Sequence, residues 1–365
     1  MRSVYFVQCK YPTNLNELNI LLERWNSYGV KLHQITGANH ITIISPFGIP
    51  KCDNEFSNLR FLSSSNGFLS NLKIVYDEIK AQKITATLVS GDLQFSLLFC
   101  NLISVLLGSS VKIQTQFHGD VYSLRANHAF KGILRIIGSR TAVKCSDSIR
   151  VVSKFQEFEL KKHFKEIRAD FVVSPIPIDF SKIASPREFA KYYDLAFVGR
   201  LHYERGIPEA ISILKNLVAE MPEIKVVIVG QGPEEGNIRK SLHKEISMGA
   251  IELFGVARPF ELRRIYGSSQ VLLSTAPREG YGLTLREAVL SGVHVVARNN
   301  LGTREAAVNF PGAFSLFNDF DEAVRAIRIG LNQNVKLNDV SNFIREQQER
   351  ESIGLENLVN FWVRD

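Results

Sequence analysis

Residues Arg278-Glu-Gly-Tyr-Gly-Leu-Thr-Leu-Arg-Glu-Ala288 decide how this chain is read. They follow an apolar, strand-like run, Val271-Leu-Leu-Ser274, and open a helix-like run that ends at Gly292. A glycine turn at a helix start leaves backbone N–H groups free and pointing outward, and the helix dipole adds positive potential there. Such a turn suits a phosphate or diphosphate. Glu279 stands before it and Glu287 inside the helix, with seven residues between them. Carboxylates on either side of a bound anion are acceptors for hydroxyl groups, and diphosphate plus hydroxyls describes a nucleotide-sugar. A purely structural reading competes, because glycine turns between strand and helix are common and acidic residues near a helix start complement its dipole. The rest of the chain weighs between them.

At 365 residues the chain has room for two domains. Hydrophobic residues make up 45% and charged residues 22%, a composition of globular proteins rather than of disordered or fibrous ones. Cys9, Cys52, Cys100 and Cys145 show no C-x-x-C spacing, which argues against a disulfide framework or a zinc site and for a reducing compartment. The apolar run Val4–Val7 is broken by Gln8 and Lys10, unlike a secretory leader. Phe95–Leu107 is apolar but falls short of the ~20 residues that a spanning helix needs. The expected location is therefore the cytoplasm. The net charge of +7 is concentrated between Val121 and Asp170, where eleven Lys/Arg face five acids. Within that window Phe130-Lys-Gly-Ile-Leu-Arg-Ile-Ile137 mixes apolar and basic residues at helical spacing. That is the pattern of a peripheral helix on an anionic membrane surface, and equally of a solvated basic face around a core stripe. No nucleic-acid reading motif accompanies the charge, so nucleic acid is not an expected partner.

The first half alternates short β-type runs with helical ones. Strands are expected at Ser3–Val7, Lys31–Ile35, Ile41–Ser45, Ile84–Val89, Lys112–Phe117 and Arg150–Val152. Helices are expected at Asn14–Tyr28, Phe68–Lys80, Leu93–Leu107 and Lys154–Phe164. Such alternation implies a parallel sheet with crossover helices. Around Ser174–Tyr193 the period is lost among Pro175, Pro177 and Pro186, which reads as a linker. A second alternation follows, with strands at Leu195–Val198, Lys225–Val229, Ile251–Phe254, Val271–Leu273, Val293–Ala297 and Phe314–Phe317. Pro208, Pro259 and Asp319 mark helix starts, and Asn338–Asp365 reads as a helical tail. The expected fold class is α/β: residues 1–180 form one doubly wound domain and residues 190–340 another, the two facing across a cleft. Residues 341–365 form a tail. In such sheets ligands sit at the carboxyl ends of strands. Arg200, Gln231, Glu279 and His118 all fall at strand ends in this reading.

Arg200 and Arg205 lie in Gly199-Arg-Leu-His-Tyr-Glu-Arg-Gly206, between a strand and a helix. Two guanidiniums there can pair with diphosphate oxygens and stabilise a departing nucleoside diphosphate. His118, in Gln116-Phe-His-Gly-Asp120, is a candidate for a sugar or acceptor hydroxyl, and Asp120 is a candidate base. Each also reads as an ordinary turn or surface residue.

These stretches carry a resemblance. LAFVGRLHYERG (195–206), VVIVGQGPEE (226–235), IELFG (251–255) and REGYGLTLREAVLSGVHVVA (278–297) resemble the retaining glycosyltransferases of family 4, in order and spacing, over about 150 residues. QTQFHGD (114–120), RVVSKF (150–155) and SPIPIDF (174–180) resemble the same family more thinly. The resemblance implies the GT-B fold, two Rossmann-like domains with a C-terminal helix crossing back to the first. It further implies that Glu279 binds donor-sugar hydroxyls, and that the amides of Gly280, Tyr281, Gly282 and Leu283 meet phosphates and ring. Glu287 would bind ribose hydroxyls, and Arg200 and Arg205 the diphosphate. Gly255, Val256 and Ala257 would meet the base, Gln231 would lie at the donor, and His118 would sit near the transferred sugar. Three departures stand out. Gln8-Cys-Lys-Tyr-Pro-Thr-Asn14 lacks the family's Gly-Gly loop after the first strand, Arg205 replaces a lysine, and Thr275-Ala276 replaces a Pro-Ser.

The expected reaction is transfer of a sugar from a nucleoside diphosphate-sugar to a glycan or lipid-linked acceptor hydroxyl, with retention. No metal or other cofactor is expected, because no Asp-X-Asp stands at a strand end and arginines with a helix dipole can do a cation's work. The rival readings are a nucleotide-sugar epimerase or hydrolase on this scaffold, and a non-catalytic partner subunit. A dehydrogenase is disfavoured, since no G-x-G-x-x-G follows the first strand.

Overall fold

The computed structural model describes residues 3–9, 15–37, 40–45, 56–62, 67–91, 95–117, 137, 139–164, 166–185, 188–333, 335 and 337–364. The chain divides into two units, Met1–Pro175 with Glu351–Asp365, and Ile176–Arg350. The change of unit at Pro175 falls in the proline-containing stretch that breaks the sequence period.

The first unit is built on strands β1 (Ser3–Val7), β2 (Ile41–Ile44), β3 (Leu59–Leu62), β4 (Ala86–Ser90), β5 (Val111–Phe117), β6 (Ser148–Val151) and β7 (Asp170–Val173). All pairings are parallel and the order is β3-β2-β1-β4-β5-β6-β7. Helices α1 (Leu15–Thr36), α2 (Phe68–Gln82), α3 (Phe95–Leu107) and α4 (Lys154–His163) make crossovers. Two sequence expectations need correction. Lys31–Ile35 is not a strand but the last part of α1: Leu18, Leu22, Trp25, Tyr28 and Leu32 are buried at helical spacing, while Val30 and Ile35 are exposed. Gly29 does not end that helix, because it is the point where α1 lies against Asn58; a Cβ there would come within 2.6 Å of the Asn58 carbonyl oxygen. The short strands β3 and β7 were not foreseen. Both are edge strands of four residues, too brief to show a period of two.

The second unit repeats the topology. Strands β8 (Tyr193–Val198), β9 (Val226–Val229), β10 (Ile251–Gly255), β11 (Ser269–Ser274), β12 (His294–Arg298) and β13 (Phe314–Phe317) form a parallel sheet in the order β10-β9-β8-β11-β12-β13. Its helices are α5 (Ile207–Glu220), α6 (Glu235–Ser241), α7 (His243–Ser247), α8 (Pro259–Ser268), α9 (Leu283–Leu290), α10 (Leu301–Asn309) and α11 (Phe320–Leu331). Pro208 sits in the first turn of α5 and Asp319 caps α11 through Glu322 N–H. The central strands read as unbroken apolar runs because both faces are covered: Val226, Val227, Ile228 and Val229 are all buried.

The last helix, α12 (Leu337–Val363), belongs to both units. Phe343 packs in the core of the second. Leu358, Val359 and Trp362 lie in the core of the first, where Trp362 meets Phe6 edge-on at 5.2 Å and donates its indole N–H to Gln114 Oε1 at 2.6 Å. The unit division at Arg350 therefore cuts the helix rather than assigning residues 341–365 to one side.

Candidate functional site: a polar ring at the switch point of the second sheet

In the order β10-β9-β8-β11-β12-β13 the chain reverses its winding between β8 and β11. Crossovers leave these two strands in opposite directions, so their carboxyl ends open a crevice. The loops bordering it are tied together by specific bonds. Thr275, just past β11, donates its hydroxyl to the Arg205 carbonyl at 2.7 Å across the switch point. Leu201 N–H reaches the Gln231 carbonyl at 2.9 Å, and Gly230 N–H the Gly255 carbonyl at 2.7 Å. The ends of β8, β9, β10 and β11 thus form one hydrogen-bonded rim.

Glu279 lies on that rim with little solvent exposure. Its Oε2 accepts Arg205 Nη1 at 2.7 Å, and its Oε1 accepts the Gly280 amide at 3.2 Å. The backbone at Glu279 is seated on α10: a Cβ on Gly302 would stand 2.1 Å from the Glu279 carbonyl oxygen, so only glycine permits this approach. Gly282 then turns the chain into α9 with φ 72°, a left-handed value that glycine adopts freely. No side chain caps this helix start. Its first N–H groups therefore remain donors for a ligand.

Glu287 is 5% exposed. Tyr266 Oη donates to its Oε2 at 3.0 Å, and Lys182 Nζ stands 3.6 Å from its Oε1. Burial pushes the carboxyl above its ordinary range, against the pull of Lys182 and with the push of Asp179. The same burial, beside the Glu287 charge, holds the Tyr266 phenol well above its usual value, so it remains a donor. The result is a buried carboxyl with one oxygen anchored and the other facing a single lysine.

The remaining predicted residues are distributed as follows. Arg200 is mostly exposed, with its guanidinium 3.6 Å from Glu204. Gln231 is exposed, and its carbonyl is used by Leu201. Val256 is 62% exposed beside half-buried Gly255 and Ala257. Tyr281, expected to act through its amide, turns its side chain away from the rim. The ring is buried against the Arg286 guanidinium at 4.0 Å, and its hydroxyl accepts from Gln347 at 3.0 Å. Tyr281 can serve a ligand only through its backbone. Leu283 begins α9 and is partly buried in the apolar core. His118 and Asp120 lie outside the described residues. Among the described residues no three His, Cys, Asp or Glu side chains form a metal-holding group.

Lys182, Tyr266 and Arg286 were not singled out from sequence. Lys182 lies in the stretch read as linker, and Tyr266 in the helix expected to start at Pro259, without a role of its own. Arg286 had a signal, a charged residue between the two glutamates. Fully buried, it donates Nε–H to the Tyr281 carbonyl at 3.0 Å and so shapes the turn.

Residues 180–348 match the family described as Glycosyl transferases group 1. The UDP-N-acetylglucosamine–peptide N-acetylglucosaminyltransferase GtfA subunit of Streptococcus gordonii is 28% identical over 141 residues, 39% of this chain and 26% of that protein. Glycogen synthase of Mycobacterium tuberculosis is 27% identical over 169 residues, 46% of this chain and 41% of that protein. The chain thus matches less than half the length of these relatives. Sucrose-phosphate synthase from Thermosynechococcus elongatus superposes with a TM-score of 0.67 at 14% identity, covering 98% of this chain and 97% of the other. That likeness spans both units, and the fold is GT-B.

Proposed function

We propose, from the match of residues 180–348 to group 1 of the glycosyl transferases, that this chain transfers a sugar from a nucleoside diphosphate-sugar to an acceptor hydroxyl with retention of configuration. One observation carries this reading: Glu279 and Glu287 flank an uncapped helix start at the switch point, with Arg205 already held at 2.7 Å from Glu279. The backbone amides from Gly280 to Leu283, at a helix start that no side chain caps, receive phosphate oxygens, and the helix dipole favours their charge. Arg205 and the exposed Arg200 stabilise the diphosphate as the bond to the sugar breaks. Glu279 accepts hydroxyls of the sugar, Glu287 accepts those of the ribose, and Gln231 with Gly255, Val256 and Ala257 borders the base.

In the reaction the sugar C1–oxygen bond to the diphosphate breaks while a bond to the acceptor oxygen forms on the same face. The acceptor proton passes to the departing phosphate oxygen. Positioning and electrostatics do most of the catalysis, and no metal is assigned a role. His118 is assigned to the transferred sugar. The acceptor is a glycan or lipid-linked glycan in polysaccharide assembly, met at the cytoplasmic face of a membrane where the basic window 121–170 favours anionic lipid. Among the described residues no helix is long and apolar enough to cross a membrane. A second reading, a non-catalytic subunit that keeps the fold, is favoured by the glycine-free stretch from Gln8 to Asn14.

Thermal stabilisation by UDP-, GDP- and ADP-sugars, run beside Glu287→Ala, tests the assignment. A ligand bound only by the native state raises stability with its concentration over Kd. One donor should shift the wild type, and the substitution should weaken that donor about 100-fold, the value of charge-assisted hydrogen bonds to two hydroxyls. No shift with any donor would leave the non-catalytic subunit as the better reading.

A further inference from the structure

Lys182 reaches Glu287 from an irregular stretch of chain, yet that stretch is fastened at several points. Phe180–Lys182 form a single 3-10 turn capped by Asp179, whose Oδ1 accepts the Ser181 amide at 3.0 Å. On either side Ile178 and Ile183 are buried in the core that also holds Ile265, Tyr266 and Leu285. Ala184 N–H donates to Ser291 Oγ at 3.1 Å, and the Ser291 hydroxyl donates to the Glu287 carbonyl at 2.9 Å. Gly267 of α8 permits the close approach, since a Cβ there would stand 2.9 Å from the Ala184 Cβ. The backbone around Lys182 is thus fixed to α8 and to the end of α9, the helices that carry Tyr266 and Glu287.

The charges inside this frame are unequally buried. Glu287 is almost wholly covered, whereas the side chains of Lys182 and Asp179 keep 22% and 41% exposure. Lys182 Nζ lies 3.6 Å from Glu287 Oε1 and 3.5 Å from Asp179 Oδ2, so one ammonium stands between a buried carboxyl and a surface one. Tyr266 donates to Oε2, while the approach of Lys182 to Oε1 is longer than an ordinary hydrogen bond. That oxygen therefore keeps its acceptor capacity. A carboxylate at this depth is costly unless paired, and one that loses its counter-cation takes up a proton instead. Protonation turns one oxygen from acceptor to donor, and two ribose hydroxyls can then no longer both donate to Glu287. The groups that bear on Glu287 are Lys182 and Asp179 from the turn and Tyr266 from α8. Burial raises Asp179, but Ser181 and Lys182 outweigh it and hold that carboxyl below its ordinary range. Tyr266 titrates well above its usual value, so of these three acids Glu287 is the one moved toward neutral pH.

We propose that Lys182 is a positioning residue of the donor site: held by its turn and by Asp179, it keeps both oxygens of Glu287 available as acceptors for the ribose hydroxyls of a nucleoside diphosphate. The ligand in this assignment rests on the donor reading above, and the ion pair stands on the geometry of the second unit alone. Lys182 meets no reacting atom. It acts through Glu287, and its contribution appears only where Glu287 would otherwise hold a proton. A lysine that served the packing of the turn would be indifferent to pH. One that paired with the diphosphate would act without Glu287.

Two measurements on the full chain test this. Thermal melts from about pH 5 to about pH 9 compare the wild type with Lys182→Met, Lys182→Arg, Glu287→Gln and the Lys182→Met, Glu287→Gln double variant. The deficit of Lys182→Met should be smallest at the acid end, where Glu287 is protonated with or without the lysine. It should grow as pH rises through the raised range of Glu287. Lys182→Arg, which keeps the charge, should follow the wild type. In the Glu287→Gln background the effect of Lys182→Met should no longer depend on pH. Calorimetric titration with UDP, GDP and ADP then reads the ligand. The ratio of Kd between Lys182→Met and the wild type cancels the titration of the nucleotide itself. It should be about tenfold near about pH 6.5, the effect of roughly one pH unit of protonation, and approach equality near about pH 9. A ratio equal at every pH would overturn the assignment, as would a pH-dependent deficit that survives in the Glu287→Gln background. Failure of the wild type to bind any of the three nucleotides would sink the donor reading instead, and the ligand-free melts would still decide the ion pair.

Discussion

The two sheets share a strand order, with a switch point between β1 and β4 in the first and between β8 and β11 in the second, and they finish those switch points differently. In the first, Gly91 N–H bonds to the Val7 carbonyl at 2.9 Å, and the Gln8 amide lies where a Gly91 Cβ would fall, 2.0 Å from that point. Cys9 N–H is taken by Ser96 Oγ. The strand ends are closed by neutral groups among the described residues. In the second, Thr275 bridges the strands from below and leaves Arg205 and Glu279 facing each other above an uncapped helix. Among the described residues, a shared strand order thus carries neutral contacts at one switch point and a charged pair at the other.

Arginines make the same contrast. Arg150, in β6, is fully buried, donates to Gln116 Oε1 at 3.1 Å and to the Ser174 and Pro175 carbonyls at 3.2 and 3.3 Å, and meets no carboxylate among the described residues. Burial lowers its pKa. It ties down the chain where it leaves the first unit. Arg205 is partly exposed and bonded to one carboxylate, with donors left over.

The largest expected effect breaks this contrast most directly. Arg150→Ala should destabilise by about 3 kcal/mol, because a buried cation is removed and its acceptors are left unsatisfied. Denaturant melting would record this, and donor affinity below the new midpoint should be unchanged. A loss of donor affinity matching that of a rim substitution would erase the distinction between a structural and a functional arginine. Next in size, Arg205→Lys should weaken nucleoside diphosphate binding about tenfold with little change in melting, since an ammonium cannot hold Glu279 and a phosphate in one planar fork. Calorimetric titration would decide, and unchanged affinity would mean that Arg205 only supports Glu279.

The smallest effect sharpens the picture of Glu287. Its folded carboxyl is held above the ordinary range, so the native state binds a proton more readily than the unfolded chain. The stability this contributes is full at low pH and is lost as pH rises through the raised value. Glu287→Gln has no such loss. Its melting midpoint should therefore gain on the wild type as pH rises toward neutral, while donor binding falls. A midpoint difference independent of pH would remove burial as the cause.

Much of the second unit was legible from sequence, and for a physical reason. Buried parallel strands are unbroken apolar runs, glycine and proline punctuate them, and Pro208, Pro259 and Asp319 stand at helix starts. The first unit was less legible. Its α1 passes through a glycine, and its β3 and β7 are four-residue edges, so local signals were weak or misleading. The turn at Gly280 to Gly282 was read only as backbone, and where the Tyr281 ring goes was beyond that reading, since a ring's direction depends on what packs around it.

By itself the sequence determined the alternation of strands and helices, the repeated α/β architecture, and the placing of Arg200 and Glu279 past strand ends with Glu287 in the helix that follows, because these follow from periodicity and from conformations that only glycine or proline favours. Only the tertiary structure decided that Arg205 bonds Glu279 across 74 residues, that Lys182 and Tyr266 attend Glu287, and that Trp362 closes the core against Phe6. Those pairings join residues remote in the chain, and no local pattern records which distant side chain will fill a buried charge's last coordination place or a core's last gap.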